Sequence, residues 1–196
     1  MEAQAILPLK FSQFPYKRPD INEVENRFKE LISQFNSAKS ADEQHNIYQQ
    51  INKLRKEFET YMEIASVRYT QDTSNKNYEE EQDYFDTHTP AYREMVNDGY
   101  KALVNSKFRN ELEQKYGEQL FKLAELSIKT TKPEIIDLLQ KENKLTTAYV
   151  KLLSSAKIFF EGEEKNLAGM APFMQSEDRD TRVQAHVAYF RFFEQK

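Results

Sequence analysis

The chain has 196 residues, room for one generous domain or two small ones around a substantial core. Charged residues make up 31% of it, while four glycines and six prolines leave few turns, so long helices with wide solvated faces are expected. A net charge of −4, with 28 Lys and Arg spread among 32 acids, excludes the concentrated basic face of a nucleic-acid binder. The lack of cysteine excludes disulfides and thiolate chemistry and fits a cytoplasmic chain. No apolar run approaches the ~18 residues of a membrane span, and the acidic start Met-Glu-Ala-Gln lacks the basic opening of a secretory signal.

Residues 1–18 read as an extended arm, with Phe11, Phe14 and Tyr16 set among Pro8, Pro15 and Pro19. A first helix is expected from Asp20, where Glu23 completes a capping-box pattern, with Ile21, Val24, Phe28, Leu31 and Phe35 on one stripe. Ser40 and Glu43 form a second box, opening a stripe through Ile47, Ile51, Leu54, Phe58, Tyr61 and Ala65. That second helix would be roughly 40 Å long and antiparallel to the first, given the short turn between them. A third helix is expected over Tyr78 to Val104, with a kink or brief break at Thr87–Pro90, because proline removes a donor and crowds the preceding turn.

Shorter helices follow over Ser106–Tyr116 and Glu118–Lys129, parted by Gly117. Thr131, Pro133 and Glu134 open another long helix whose stripe is Ile135, Leu138, Leu139, Leu145, Tyr149, Leu152 and Leu153. Lys157–Phe160 and Glu163–Leu167 flank Gly162 as a small hairpin. Ser176 starts the last helix, which finishes on Tyr189, Phe190, Phe192 and Phe193 with no later segment to cover them. That ending is expected of a piece of something longer.

The fold class is therefore mainly α: long antiparallel helices in an elongated bundle with one small β-hairpin near residues 157–167. As one helical domain, 1–196, it divides into the arm over 1–18, a bundle over 19–155, and the hairpin plus last helix over 156–196.

No His-Glu-x-x-His pair exists, nor any two of the three histidines four apart, so the strongest signal for catalytic zinc is absent. His186, among Ala185, Val187 and Ala188, reads as a packing residue, His45 as a surface residue, and His88 as a residue of the proline kink rather than half of an acid–base pair with Asp86. Glu79, Glu80, Glu81, Asp83 and Asp86 read as a solvated face near a helix start, where negative charge is favoured. Acid–base work by that run is the alternative, and would make the chain a small enzyme. Arg68–Asp72 and Arg55–Glu59 have helix-face spacing; a grip by Arg68 on a peptide carboxylate is the sharper reading. Spacing does not separate core packing from channel lining for Tyr61, Tyr69 and Tyr84. Neither a phosphate loop nor a Ser-His-Asp set occurs.

Several runs resemble the N-terminal region of the oligoendopeptidase F family, zinc metallopeptidases of the thimet oligopeptidase type. They are Phe11-Ser-Gln-Phe-Pro-Tyr-Lys-Arg-Pro-Asp20, Ala65-Ser-Val-Arg-Tyr-Thr-Gln-Asp-Thr73, Tyr78-Glu-Glu-Glu-Gln-Asp-Tyr-Phe85 and Leu120-Phe-Lys-Leu-Ala-Glu-Leu-Ser127, then Glu142–Leu145, Ala156–Ile158, Gln175–Arg179, Arg182 and the tail to Phe193. The resemblance implies a helical N-terminal domain that walls a channel in a longer, cytoplasmic protease acting on short peptides, with a missing C-terminal catalytic domain as its own partner. It implies zinc in that parent, whose ligands have no counterpart here, so no catalytic, cofactor-binding or metal residue is assigned. The fragment alone is expected to be inactive. The alternative is a stand-alone helical module that docks a partner through its Phe-rich last helix.

Overall fold

The computed structural model describes residues 10–130 and 133–195. It is mainly α, with one two-stranded antiparallel sheet among the described residues. The chain divides into two compact units, residues 1–143 and 144–196.

In the first unit, helix α1 (Ile21–Ser37) begins where Asp20 accepts from the backbone N–H groups of Asn22 and Glu23, at 2.8 and 3.4 Å. Helix α2 (Ala41–Gln71) begins where the Ser40 hydroxyl accepts from Glu43 N–H at 3.1 Å, while the Glu43 carboxylate accepts from Lys39 N–H at 2.6 Å. Both starts agree with the capping patterns. The two helices run antiparallel: Phe35 pairs with Gln44 near the turn, and Arg27 with Gln50 further out.

Helix α3 (Lys76–Val104) packs on both, and α4 (Arg109–Tyr116) and α5 (Glu118–Thr130) complete the group. Gly117 parts the last two at φ 81°, a conformation that favours glycine. The core is aromatic. Phe58 stacks on Tyr92 at 4.0 Å between ring centres and meets Phe85 edge-on, and Phe28 meets Tyr92 edge-on. Leu31, Ile51, Leu103, Leu112 and Phe121 are fully enclosed around them. Two buried amides are satisfied: Gln44 donates to Phe35 O and accepts from the Ser106 hydroxyl, and Asn97 accepts from the Ser127 hydroxyl.

The expected break at Thr87–Pro90 does not occur; α3 is helical throughout. Proline at position 90 deprives the Asp86 carbonyl of its usual partner, and Asn143 Nδ2 donates to that carbonyl at 3.2 Å instead. Gln140 Nε2 donates to the neighbouring Thr87 carbonyl at 2.8 Å. These two amides, on helix α6 (Ile136–Ser154), satisfy the acceptors that would otherwise favour a break. The Thr131 cap lies outside the described residues.

The expected stripe of α6 is not a core stripe. The helix has no buried residue, and Leu138, Leu145 and Tyr149 are all more than half exposed. Leu152, further along the same stripe, packs against the cluster around Phe192.

In the second unit, strands β1 (Ile158–Phe160) and β2 (Glu163–Lys165) pair with Ile158 opposite Lys165. Both loop residues, Glu161 and Gly162, have positive φ, 49° and 83°, as a two-residue type I′ turn requires. A short helix α7 (Ala171–Met174), unanticipated, precedes the last one. Helix α8 (Arg179–Glu194) starts three residues later than expected, because Asp178 supplies the cap by accepting from Thr181 N–H at 2.7 Å. Ser176 instead accepts from Asp178 N–H within the preceding turn.

The four terminal rings are not uniformly bare. Phe192 is buried with Ala156, Ile158, Phe160, Met170 and Ala185, and Tyr189 and Phe193 pack against that cluster. Only Phe190 among them is exposed. The hairpin thus covers its own apolar side on α8, which a lone two-stranded ribbon needs for stability.

Candidate functional site

The residues of most interest converge in the first unit, where the arm lies across α2 and α3. The arm passes through a 3-10 turn at Phe11–Gln13 and then runs to the cap of α1. Prolines at 15 and 19 keep this stretch out of helix, so its polar backbone needs partners from elsewhere. Arg68 supplies one, donating from Nη2 to the Phe14 carbonyl at 3.0 Å with its guanidinium over the Tyr16 ring. Tyr84 supplies another: its hydroxyl donates to the Pro19 carbonyl at 2.5 Å and accepts from Ile21 N–H at 3.2 Å.

Glu81 completes the clasp. Arg18 grips its carboxylate through Nε and Nη2, at 3.0 Å to Oε2 and 2.8 Å to Oε1, and the Tyr16 hydroxyl donates to Oε2. Burial opposes the charge on Glu81, but the hydrogen bonds from Arg18 and Tyr16 and the nearby positive charges outweigh it and hold its pKa below the ordinary glutamate value. Burial, reinforced by the same carboxylate, pushes the Tyr16 phenol well up, so it stays protonated and donating.

The acidic run therefore divides by helix face. Glu80 and Asp83 face solvent, Glu81 holds the arm, and Asp86 is buried and accepts from Gln82 Nε2 at 2.9 Å. The His88 ring lies 4.5 Å from that of Tyr84, and its pKa is lowered by burial against the opposing effect of Asp83. Arg68 does not pair with Asp72 as the spacing implied. Asp72 accepts from the Ser74 N–H and hydroxyl, which lowers its pKa, while Arg68 is committed to the arm.

The other histidines also find ring or hydroxyl partners. His45 Nδ1 shares a hydrogen bond with the Tyr116 hydroxyl at 2.6 Å. His186, expected to be a packing residue, is exposed and lies parallel to Phe190 at 6.3 Å. Arg55 and Glu59 approach to 3.6 Å, and Tyr92 donates to Glu59 at 2.9 Å, so the pair also closes the inner core. Among the described residues no three His, Asp or Glu side chains come together to hold a metal ion.

Tyr69 is a core residue at 2% exposure, whereas Tyr61 and Tyr84 each border an open cleft beside the arm. The Tyr61 cleft, about 440 Å³, has Val24, Leu54 and Phe58 in its wall and Arg18, Arg27, Glu23 and Glu57 around it. The Tyr84 cleft, about 640 Å³, is lined by Lys76, Glu79, Asp83 and His88. Both clefts mix apolar walls with charged rims.

Sequence reasoning found Arg68, Glu81 and Tyr84 but not their common task. Their partners lie far away along the chain, and only the double-proline arm, short of helical hydrogen bonds, signalled that some such clasp was needed.

No described helix is long and apolar enough to cross a membrane. The peptidase M3 N-terminal domain family matches residues 11–131, which include the arm from Phe11 onward and helices α1 to α5. A comparison with curated proteins gave no match. Among solved structures, PZ peptidase A with an inhibitor shares 48% identity at a TM-score of 0.92, over 95% of this chain and 33% of that one. A structure described as an oligoendopeptidase F shares 48% at 0.93, over 96% and 33%. Another so described, from Bacillus anthracis str. Ames, shares 41% at 0.91, over 94% and 34%. This chain thus spans about a third of the length of the proteins it resembles. With residues 11–131 inside the family match and 94–96% of the chain inside the structural ones, the chain belongs to the peptidase M3 N-terminal domain family, as the N-terminal region of an oligoendopeptidase F-like peptidase.

Proposed function

We propose that this chain is the substrate-confining N-terminal part of a longer, zinc-dependent oligoendopeptidase that hydrolyses short peptides in the cytoplasm, and that by itself it is inactive. The observation that carries the reading is the match over 94–96% of this chain to peptidase structures of which it makes up only 33–34%. The residues present do not fit a resident zinc ion. The histidines at positions 45, 88 and 186 are each engaged with a different aromatic residue, and no ligand set assembles among the described residues. No catalytic step is therefore assigned to any of them. The contribution proposed for this region is steric: a rigid helical wall, with the arm fastened down, that admits an extended short peptide and excludes a folded one.

The alternative, a stand-alone module docking through its Phe-rich last helix, loses much of its surface, because Phe192 is buried and Tyr189 and Phe193 are half-buried. The deciding experiment compares residues 1–196 with the polypeptide read on from the same frame, using internally quenched short peptides with and without a chelator. Chelator-sensitive cleavage by the longer protein and none by 1–196 is the expected result. Cleavage by 1–196, or a frame without a downstream His-Glu-x-x-His, would sink the reading.

A further inference from the structure

Helix α8 is apolar on two opposite sides. At 3.6 residues per turn, Ala185 and Phe192 project one way, where they are 0% and 9% exposed. Val183, Val187 and Phe190 project the opposite way, and they are 53%, 46% and 55% exposed. The exposed His186 ring extends this second face by lying parallel to Phe190. Arg179 and Glu194 bound it at either end, giving an apolar centre with a charged rim. Apolar residues on two opposite faces of one helix favour cover on both, yet among the described residues α8 is covered on one side only.

We propose that the Val183–Val187–Phe190 face is buried against the part of the longer polypeptide that lies outside this chain, docking to it intramolecularly. The inference rests on the reading of the chain as one part of a longer peptidase. Two observations choose this occupant over a second copy of the chain. The similar structures keep this fold at TM-scores of 0.91–0.93 and are about three times as long, so some two thirds of such a molecule lies outside the stretch matched here and is available to cover the face. Three half-exposed side chains also fall well short of the ~800 Å² per partner that a stable interface between separate molecules buries. A covalent tether relaxes that requirement, since a linked partner is already at ~mM effective concentration.

The test introduces Val187→Glu and Phe190→Glu separately into 1–196 and into the longer polypeptide. In 1–196 each leaves the melting temperature unchanged and reduces binding of an apolar dye. In the longer polypeptide each lowers the melting temperature by several degrees and exposes a new site to limited proteolysis. Hydroxyl-radical labelling of the unsubstituted proteins keeps the test decisive if a variant fails to fold: Val187 and Phe190 label several-fold less in the longer polypeptide. Equal labelling in both overturns the proposal. So does concentration-dependent dimerisation of 1–196 that either substitution abolishes, which would make the face a self-association surface. A longer polypeptide that protects both residues but cleaves no peptide upholds the docking face and defeats the peptidase reading. One that cleaves peptides without protecting them defeats the docking face alone.

Discussion

In the unit spanning residues 1–143, long helices bring their apolar stripes together, and the rings of Phe28, Phe58, Phe85 and Tyr92 interlock between three of them. In the unit spanning 144–196, a hairpin of two three-residue strands and a short helix cover one side of α8, and the other side keeps its valines and Phe190 exposed. The first unit encloses an interlocked aromatic core and secures even its irregular arm with hydrogen bonds, though Leu123, Leu126 and Leu138 stay outside it. The second buries one face of its last helix and leaves the opposite face exposed. The contrast teaches that apolar content alone does not measure self-sufficiency; what matters is whether the opposing element lies within the same stretch of chain.

The largest test of that contrast is Phe58→Ala, which removes the centre of the first core. It should cost about 3–5 kcal/mol in chemical denaturation, with hydrogen-exchange protection lost across α1, α2 and α3. Phe192→Ala should cost less, about 2–3 kcal/mol, because the site is shallower and its half-buried neighbours Tyr189 and Phe193 can collapse into the space. A larger loss at Phe192 than at Phe58 would break the comparison.

Asn143→Ala should cost about 1–2 kcal/mol by removing the hydrogen bond that the Asn143 amide gives the Asp86 carbonyl. In a Pro90→Ala background, where a backbone N–H is restored, most of that cost should vanish. Additive effects in the double-mutant cycle would mean that Asn143 does not act through the proline.

Glu81→Gln should cost about 1 kcal/mol near neutral pH, a modest figure because Arg18 is 44% exposed and its charge is screened. The pKa of Glu81 is depressed in the folded chain, so its contribution is present above the ordinary glutamate range and is lost as pH falls through the lowered value. The difference between wild type and variant should therefore shrink below about pH 4, and a gap that persists there would detach the effect from the carboxylate charge. Smallest of all, Leu145→Glu on the uncovered face of α6 should change the stability of 1–196 by no more than about 0.5 kcal/mol.

Much of this was legible in the sequence. Asp20 and Ser40 marked helix starts because a short side-chain acceptor satisfies nearby N–H groups, an interaction that needs no distant partner. The stripe from Val24 to Phe35 became core because helical spacing aligned it and the next helix returned alongside. Gly162 sat in the turn its backbone freedom suits. The zinc signature was missing by inspection. These features are set within about a turn or two of chain, so local physics was enough.

Other outcomes depended on residues far apart. Pro90 signalled that a carbonyl would be freed, but that Asn143 and Gln140 would meet it, and keep α3 whole, followed only from helix packing. Arg68 and Glu81 had suitable helical neighbours, yet the arm won both, because its proline-interrupted backbone offered acceptors and Arg18 a planar grip on the carboxylate. The stripe of α6 was expected from its spacing, yet Leu138, Leu145 and Tyr149 are exposed while Leu152 packs inward, and the terminal rings of α8, expected bare, are partly covered. Sequence by itself determined where helices begin and which faces are apolar, since both arise from short-range geometry. Only tertiary structure decided which of those faces are covered and which charges are paired, since covering and pairing require a second segment at the right place.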